Sequence, residues 1–235
     1  QVHDVQGNDL GVLGERWLAD ARAAFALPKA RIVVAEWLQR LCMEEHGAKD
    51  APVVVANGID ETFLTDTPRT KPERPTLGAI WTAHDVKAPD VILQVLNRAK
   101  EELPDMRAVV FGLIKKGELP DWVEYHQAPE RDAIRSLYGQ CDAWLWPSRE
   151  EGFGLPILEA MAQGTPVVAT AAGAAPELVP PGGGAVVPVD DVDALATQCL
   201  RYLQMTPTTW ATHSQAARTE AGNHPWSRTV TDFES

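Results

Sequence analysis

Cysteine is scarce in this 235-residue sequence: Cys42, Cys141 and Cys199 stand far apart and are odd in number. No C-x-x-C spacing occurs, so neither a disulfide framework nor a zinc site is indicated. The three read as small apolar residues of a reducing compartment. Positive charge is also short. Twenty-one Lys and Arg stand against 33 Asp and Glu, a formal net charge of −12. A phosphate backbone requires a basic face, so this balance argues against a nucleic-acid partner, and it gives no general attraction to anionic lipid. A small anionic ligand can still bind where the site is locally positive or rich in backbone N–H groups. No apolar run approaches the roughly 20 residues of a membrane span. No signal-peptide pattern opens the sequence, whose first residue is Gln1, which suggests a fragment or a processed chain of the cytoplasm. Internal repeats and low-complexity tracts are lacking too.

What is present is 45% apolar residues, enough for the core of one large domain or of one and a half small ones. Short β-branched runs alternate with helical stretches, the pattern of a parallel α/β sheet. "TLGAIWTA" (76–83), "MRAVVFG" (106–112), "WVEYHQ" (122–127), "CDAWLWPS" (141–148), "TPVVAT" (165–170) and "GGGAVVPVD" read as six strands. Helices are expected at 89–103, with Pro89 near the start, at 130–140, and at "PILEAMAQG", closed by Gly164. Two or three more follow from about Asp191. The first sixty residues differ. "ARIVVAEWLQRLCMEEHGA" (30–48) is one strand feeding one helix and "APVVVANGID" (51–60) another strand, too little to bury both faces of a sheet. The Pro- and Thr-rich "TDTPRTKPERP" (65–75) reads as a linker. The expected organisation is a remnant of an N-terminal domain over 1–65, a linker over 66–75, a Rossmann-like ligand-binding domain over 76–222 and a terminal helix over 223–235.

The most informative stretch is "SREEGFGLPILEAMAQGTPVVAT" (148–170). A strand, a glycine-containing turn and a helix N-terminus together make an anion site. The first helical N–H groups lack intrahelical partners, and the helix dipole adds about half a positive charge. Gly152 and Gly154 keep side chains out of the way of a phosphate, and Pro156 suits the first helical position. Glu159, expected in the first turn, either accepts two hydrogen bonds from a ribose diol or merely complements the dipole. Glu151 is either a contact for sugar hydroxyls or a solvated loop charge. Trp144 and Trp146, spaced two apart in a strand, are expected to pack in the core or on a sheet face.

Glu151-Gly-Phe-Gly-Leu-Pro-Ile-Leu-Glu159-Ala-Met-Ala resembles the E-x7-E motif of retaining glycosyltransferases of the GT-B fold, family four. The likeness extends to "NGID" (57–60), "LYGQCDAWLWPS", "GTPVVATAAGAAPELV" and "HPWSRTVTDF" (224–233), so it covers roughly residues 30–235. It implies an α/β fold, the C-terminal half of a GT-B enzyme, with a Rossmann-like parallel sheet and helices on both faces. The implied reaction moves a hexosyl unit from a nucleotide-diphosphate sugar to a glycan, lipid or small-molecule acceptor, retaining anomeric configuration, with no metal and no cofactor. Polysaccharide biosynthesis is one setting that fits, and peripheral membrane contact would come through the N-terminal part. Carried over residue by residue, Glu159 binds the ribose and Glu151 the donor sugar. The loop Gly152, Phe153, Gly154, Leu155 and Pro156 lines sugar and diphosphate, and Lys87 neutralises the diphosphate. Tyr125, His126 and Gln127 fall at the family's base-binding edge, Gln127 standing where the family has a glycine after the third strand, and Gly112 is also assigned to donor binding. The sequence departs from the pattern where the family has an arginine about five positions before the lysine: Thr82 stands there, with His84 as a partial substitute. Asp191-Val-Asp193 spells the D-x-D string of metal-dependent glycosyltransferases, but at a helix start, where capping explains it. An inactive nucleotide-sugar-binding module and a related epimerase or phosphorylase are the competing classes.

Overall fold

The computed structural model describes residues 31–65 and 67–235, together with Ala23 and the backbone of residues 3–5. The first segment holds β1 (His3–Val5), β2 (Arg31–Val33), α1 (Glu36–Glu44) and β3 (Val53–Val54), whose strands form a parallel sheet in the order β1-β2-β3. The main unit follows as β4 (Thr76–Ile80), α2 (Pro89–Glu102), β5 (Arg107–Gly112), β6 (Glu124–Gln127), α3 (Arg131–Gly139) and β7 (Ala143–Trp146). It continues through α4 (Leu155–Ala162), β8 (Val167–Thr170), α5 (Ala175–Leu178) and β9 (Gly184–Val187). Three helices close the chain: α6 (Val192–Gln204), α7 (Pro207–Gly222) and α8 (Trp226–Glu234).

All six expected strands form, and they join one parallel sheet in the order β6-β5-β4-β7-β8-β9. Strand side chains alternate between faces, and the two core clusters divide along that alternation. Val109, Phe111, Trp144, Trp146, Val167 and Ala169 pack on one face with α3, α4 and α7. Ala108, Val110, Ala143, Leu145 and Val168 pack on the other with α2 and α6. Both faces of the central strands are therefore buried, which is why β7 and β8 read as unbroken apolar runs. Cys42, Cys141 and Cys199 are free and buried, as their reading as small apolar residues anticipates.

The stretch between 67 and 75 forms neither helix nor strand, yet it is fastened to the main unit. Arg69 donates to Thr165 Oγ1 at 2.7 Å and to the carbonyls of Gln163 and Cys141, both at 3.2 Å. Lys71 pairs with the fully buried Asp142 and donates to Leu203 O at 2.9 Å. Asp142 also accepts from the Thr76 N–H at 2.6 Å, so one carboxylate anchors both the segment and the start of β4. At the far end, α8 packs back on the first segment: Trp226 N–H donates to Ile59 O at 2.8 Å and Thr229 Oγ1 to Ala56 O at 2.8 Å. No helix among the described residues is long and apolar enough to cross a membrane.

Candidate functional site

In this strand order the chain grows outward in one direction from β4 and in the other from β7, and a crevice opens between the loops that leave their carboxyl ends. A cavity of about 490 Å³ lies there, within the range of small-ligand sites. The loop after β4 contributes Thr82, His84 and Lys87, and the loop after β7 contributes Ser148, Glu151 and the run Gly152 to Pro156. Asn57 of the first segment also lines the cavity. Nine of the thirteen residues singled out in the sequence are thus brought together: Thr82, His84, Lys87, Glu151, Gly152, Phe153, Gly154, Leu155 and Pro156.

The glycine loop ends at Gly154, which caps α4 with a left-handed backbone, φ 96°, that a side chain would strain. Leu155 takes the first helical position and Pro156 the second, one place later than expected; the N–H that proline lacks would have been unpaired at either position. The N–H groups of Phe153, Gly154 and Leu155 have no acceptor among the described residues. The three residues line the cavity at the positive end of the helix dipole, a setting that suits an anion.

Charge in the cavity is balanced by one pair. Lys87, at the end of a short 3-10 turn, forms an ion pair with Glu151, and Ser148 Oγ donates to the same carboxylate oxygen at 3.0 Å. The Lys87 ammonium also sits 5.3 Å from the centroid of the Trp146 ring. Glu151 is therefore not the solvated loop charge that a loop position allows; its side chain is only 9% exposed. Arg149 ties the two loops together. Its guanidinium bonds Asp90 at 2.8 Å, Asp190 at 2.7 Å and the Asp85 carbonyl at 2.9 Å, and the carboxylate bonds raise its pKa above the ordinary value.

Glu159 occupies a different place from the one expected. It lies in the second turn of α4, because Leu155 rather than Pro156 begins the helix, and it is not among the residues lining the cavity. Half-buried, it accepts a 2.9 Å hydrogen bond from the hydroxyl of the fully buried Tyr138. Burial raises its pKa, and the Tyr138 bond and the charge of Arg131 only partly oppose that. The dipole-complement alternative fails, since no acidic residue sits in the first turn. Three further expected residues also stand outside the cavity. Gly112 ends β5 where a Cβ would meet the Trp81 carbonyl oxygen at 2.1 Å, so its absence of side chain serves strand packing. His126 pairs with Glu124 at 2.9 Å, and Gln127 is exposed at the end of β6.

Asp191 caps α6 by accepting from the Ala194 N–H at 2.9 Å, as the capping explanation of D-x-D requires, and Asp193 pairs with Arg98 of α2. No group of three or more His, Cys, Asp or Glu residues that could hold a metal ion occurs among the described residues. Sequence reasoning missed Trp146, which is buried but lines the cavity, together with Ser148, Tyr138 and Asn57. Trp146 is the last residue of β7, and that carboxyl-end position beside the switch point was the available signal.

Comparison with known proteins gives a consistent result. Residues 63–219 match the family described as glycosyl transferases group 1. D-inositol 3-phosphate glycosyltransferase of Mycolicibacterium vanbaalenii is 33% identical over 93% of this chain and 53% of its own length. The Mycolicibacterium gilvum protein of the same name is 31% identical over 82% and 47%. O-antigen chain mannosyltransferase B of Escherichia coli is 39% identical over 41% of this chain and 25% of its own length. The chain thus spans about half the length of the first two relatives and a quarter of the third. Among solved structures, Anabaena HepE in complex with UDP-glucose superposes with a TM-score of 0.81 over 99% of this chain and 71% of that one, at 20% identity. Sucrose-phosphate synthase from Thermosynechococcus elongatus gives 0.81 over 99% and 66%, at 19%. At such identities the likeness is one of fold: a Rossmann-like parallel sheet with helices on both faces, as in GT-B proteins.

Proposed function

The chain belongs to the glycosyl transferases of group 1, and from that premise we propose that it is the donor-binding part of a retaining, metal-independent hexosyltransferase of GT-B family four. The observation that carries this reading is the glycine loop, with its three unpartnered N–H groups, lining one cavity with Lys87 at the switch point of the sheet. A nucleoside diphosphate has the charge and length for such a place. Its phosphates meet the N-terminus of α4 and the Lys87 ammonium, and the ribose extends toward Glu159.

Lys87 and the loop N–H groups then stabilise the charge that builds on the diphosphate as the sugar departs. The departing phosphate oxygen takes the acceptor hydroxyl's proton, so no separate strong base is required. Glu151 exchanges its bond to Lys87 for one to a sugar hydroxyl when the diphosphate claims the ammonium. Residues 1–65 belong in this reading to the acceptor-binding domain, 66–75 to the linker, 76–222 to the donor domain and 223–235 to the crossing helix. The relatives' names, D-inositol 3-phosphate glycosyltransferase and O-antigen chain mannosyltransferase B, support acceptors that are polyols or glycans. The reading is tested by supplying sugar nucleotides with C1 labelled and analysing the product by NMR. A retained anomeric configuration, insensitive to EDTA, is expected; inversion or a metal requirement would defeat it.

A further inference from the structure

Trp37 belongs to α1, outside the family match, yet its indole N–H donates to the carbonyl of Gly152 at 2.8 Å, across 115 residues of sequence. Its own backbone N–H is held by Glu177 at 2.7 Å, and the adjacent Glu36 N–H by the same carboxylate at 3.0 Å. Glu177 therefore supplies the cap that Ala35, at the N-cap position of α1, has no side chain to provide. The indole is fixed at both ends, by the capped helix and by the loop. Trp37 lines a second cavity on the other flank of Glu151, whereas Phe153 lines the first.

Peptide planarity turns this contact into a consequence for the donor site. In a trans peptide the C=O of one residue and the N–H of the next point in opposite directions, and the described residues contain no cis bond. Pinning the Gly152 carbonyl toward Trp37 therefore aims the Phe153 N–H the other way, toward the cavity. Glycine imposes little resistance to rotation of that peptide, so the orientation depends on an outside partner. We propose that Trp37 is a positioning residue of the donor site, which holds the Gly152–Phe153 peptide so that the Phe153 N–H meets the distal phosphate. The inference rests on the donor-site reading above.

The test is calorimetric titration of the chain and its Trp37→Phe variant with UDP, GDP, ADP and dTDP and with the four corresponding monophosphates. Phenylalanine keeps an aromatic ring on the helix but removes the N–H together with the five-membered ring, so the monophosphates serve as the control for lost packing. For the diphosphate that the unaltered chain binds, the variant should lose about tenfold in affinity, the scale of one neutral hydrogen bond, while the monophosphate is bound equally by both. Unchanged diphosphate affinity overturns the proposal. An equal loss for monophosphate and diphosphate also overturns it, since Trp37 would then serve only the integrity of the fold. Failure of the unaltered chain to bind any of the eight defeats the donor-site reading itself, and this inference with it.

Discussion

Glu159 is tuned by what surrounds it. Its pKa is raised by burial, with the Tyr138 hydroxyl and Arg131 opposing, so its proton is held to a higher pH than on an exposed carboxylate. The ionised carboxylate accepts from both hydroxyls of a ribose diol, whereas protonation turns one of its oxygens into a donor. Diphosphate affinity should therefore fall as pH is lowered through a point above the carboxylate's ordinary value. Glu159→Gln should bind more weakly and with that pH dependence flattened; a parallel pH profile for the variant would show that Glu159 is not the titrating group. The sign for stability is the reverse: a raised carboxylate pKa gives stability that is present at low pH and lost as pH rises. Glu159→Gln should accordingly leave the fold intact at neutral pH.

Lys87 and Glu151 make opposite predictions although they form one pair. Lys87→Ala should weaken diphosphate binding by roughly 10- to 100-fold, the scale of a charge-assisted hydrogen bond. Glu151→Gln removes the competitor for the same ammonium, so diphosphate affinity should hold or rise while transfer from the sugar nucleotide falls. Titration and turnover on the two variants separate these outcomes, and a parallel loss of affinity in both would contradict the exchange of partners. The pairing itself could not be read in the sequence. Both residues were expected in the site from the family resemblance, Glu151 by the motif and Lys87 by the family's lysine after the first strand, but a contact spanning 64 residues has no local signature.

At the scale of elements, periodicity and punctuation carried most of the information. Each strand of the six-stranded sheet is a β-branched or aromatic run bounded by Gly, Pro or a charged turn, so all six were legible within a few residues. Helix starts were less so: placing Pro156 first rather than second in α4 put Glu159 in the wrong turn. The 66–75 segment looked like a linker because Pro and Thr mark irregular backbone. Composition does not disclose that Lys71 reaches a buried partner. Removing Lys71 leaves Asp142 buried without that cation, which costs on the order of 3–5 kcal/mol. Lys71→Ala should therefore lower the urea midpoint substantially, whereas Arg98→Ala, which breaks the exposed pair with Asp193, should change stability by about 1 kcal/mol or less. Similar midpoints for the two variants would mean that the 67–75 segment is not anchored through this carboxylate.

The whole molecule places its chemistry where two loops leave neighbouring strands at the switch point, and it closes that place from outside the sheet. Trp37 and Asn57 reach it from the first segment, and α8 fastens residues 56–61 of that segment to the end of the chain. The motif and its setting made the sheet and the glycine loop legible. They did not disclose these tertiary supports: Trp146 reads in one dimension as a core or sheet-face aromatic, and the contacts of Trp37 and Tyr138 span distant parts of the sequence. The central claim is that the α4 N-terminus, Lys87 and Glu159 together bind a nucleoside diphosphate. Its most direct test is calorimetric titration of the chain and its Glu159→Ala variant with UDP, GDP, ADP and dTDP. Selective binding of one base, lost in the variant, is the predicted result; binding of equal strength in the variant, or none by the unaltered chain, would contradict it.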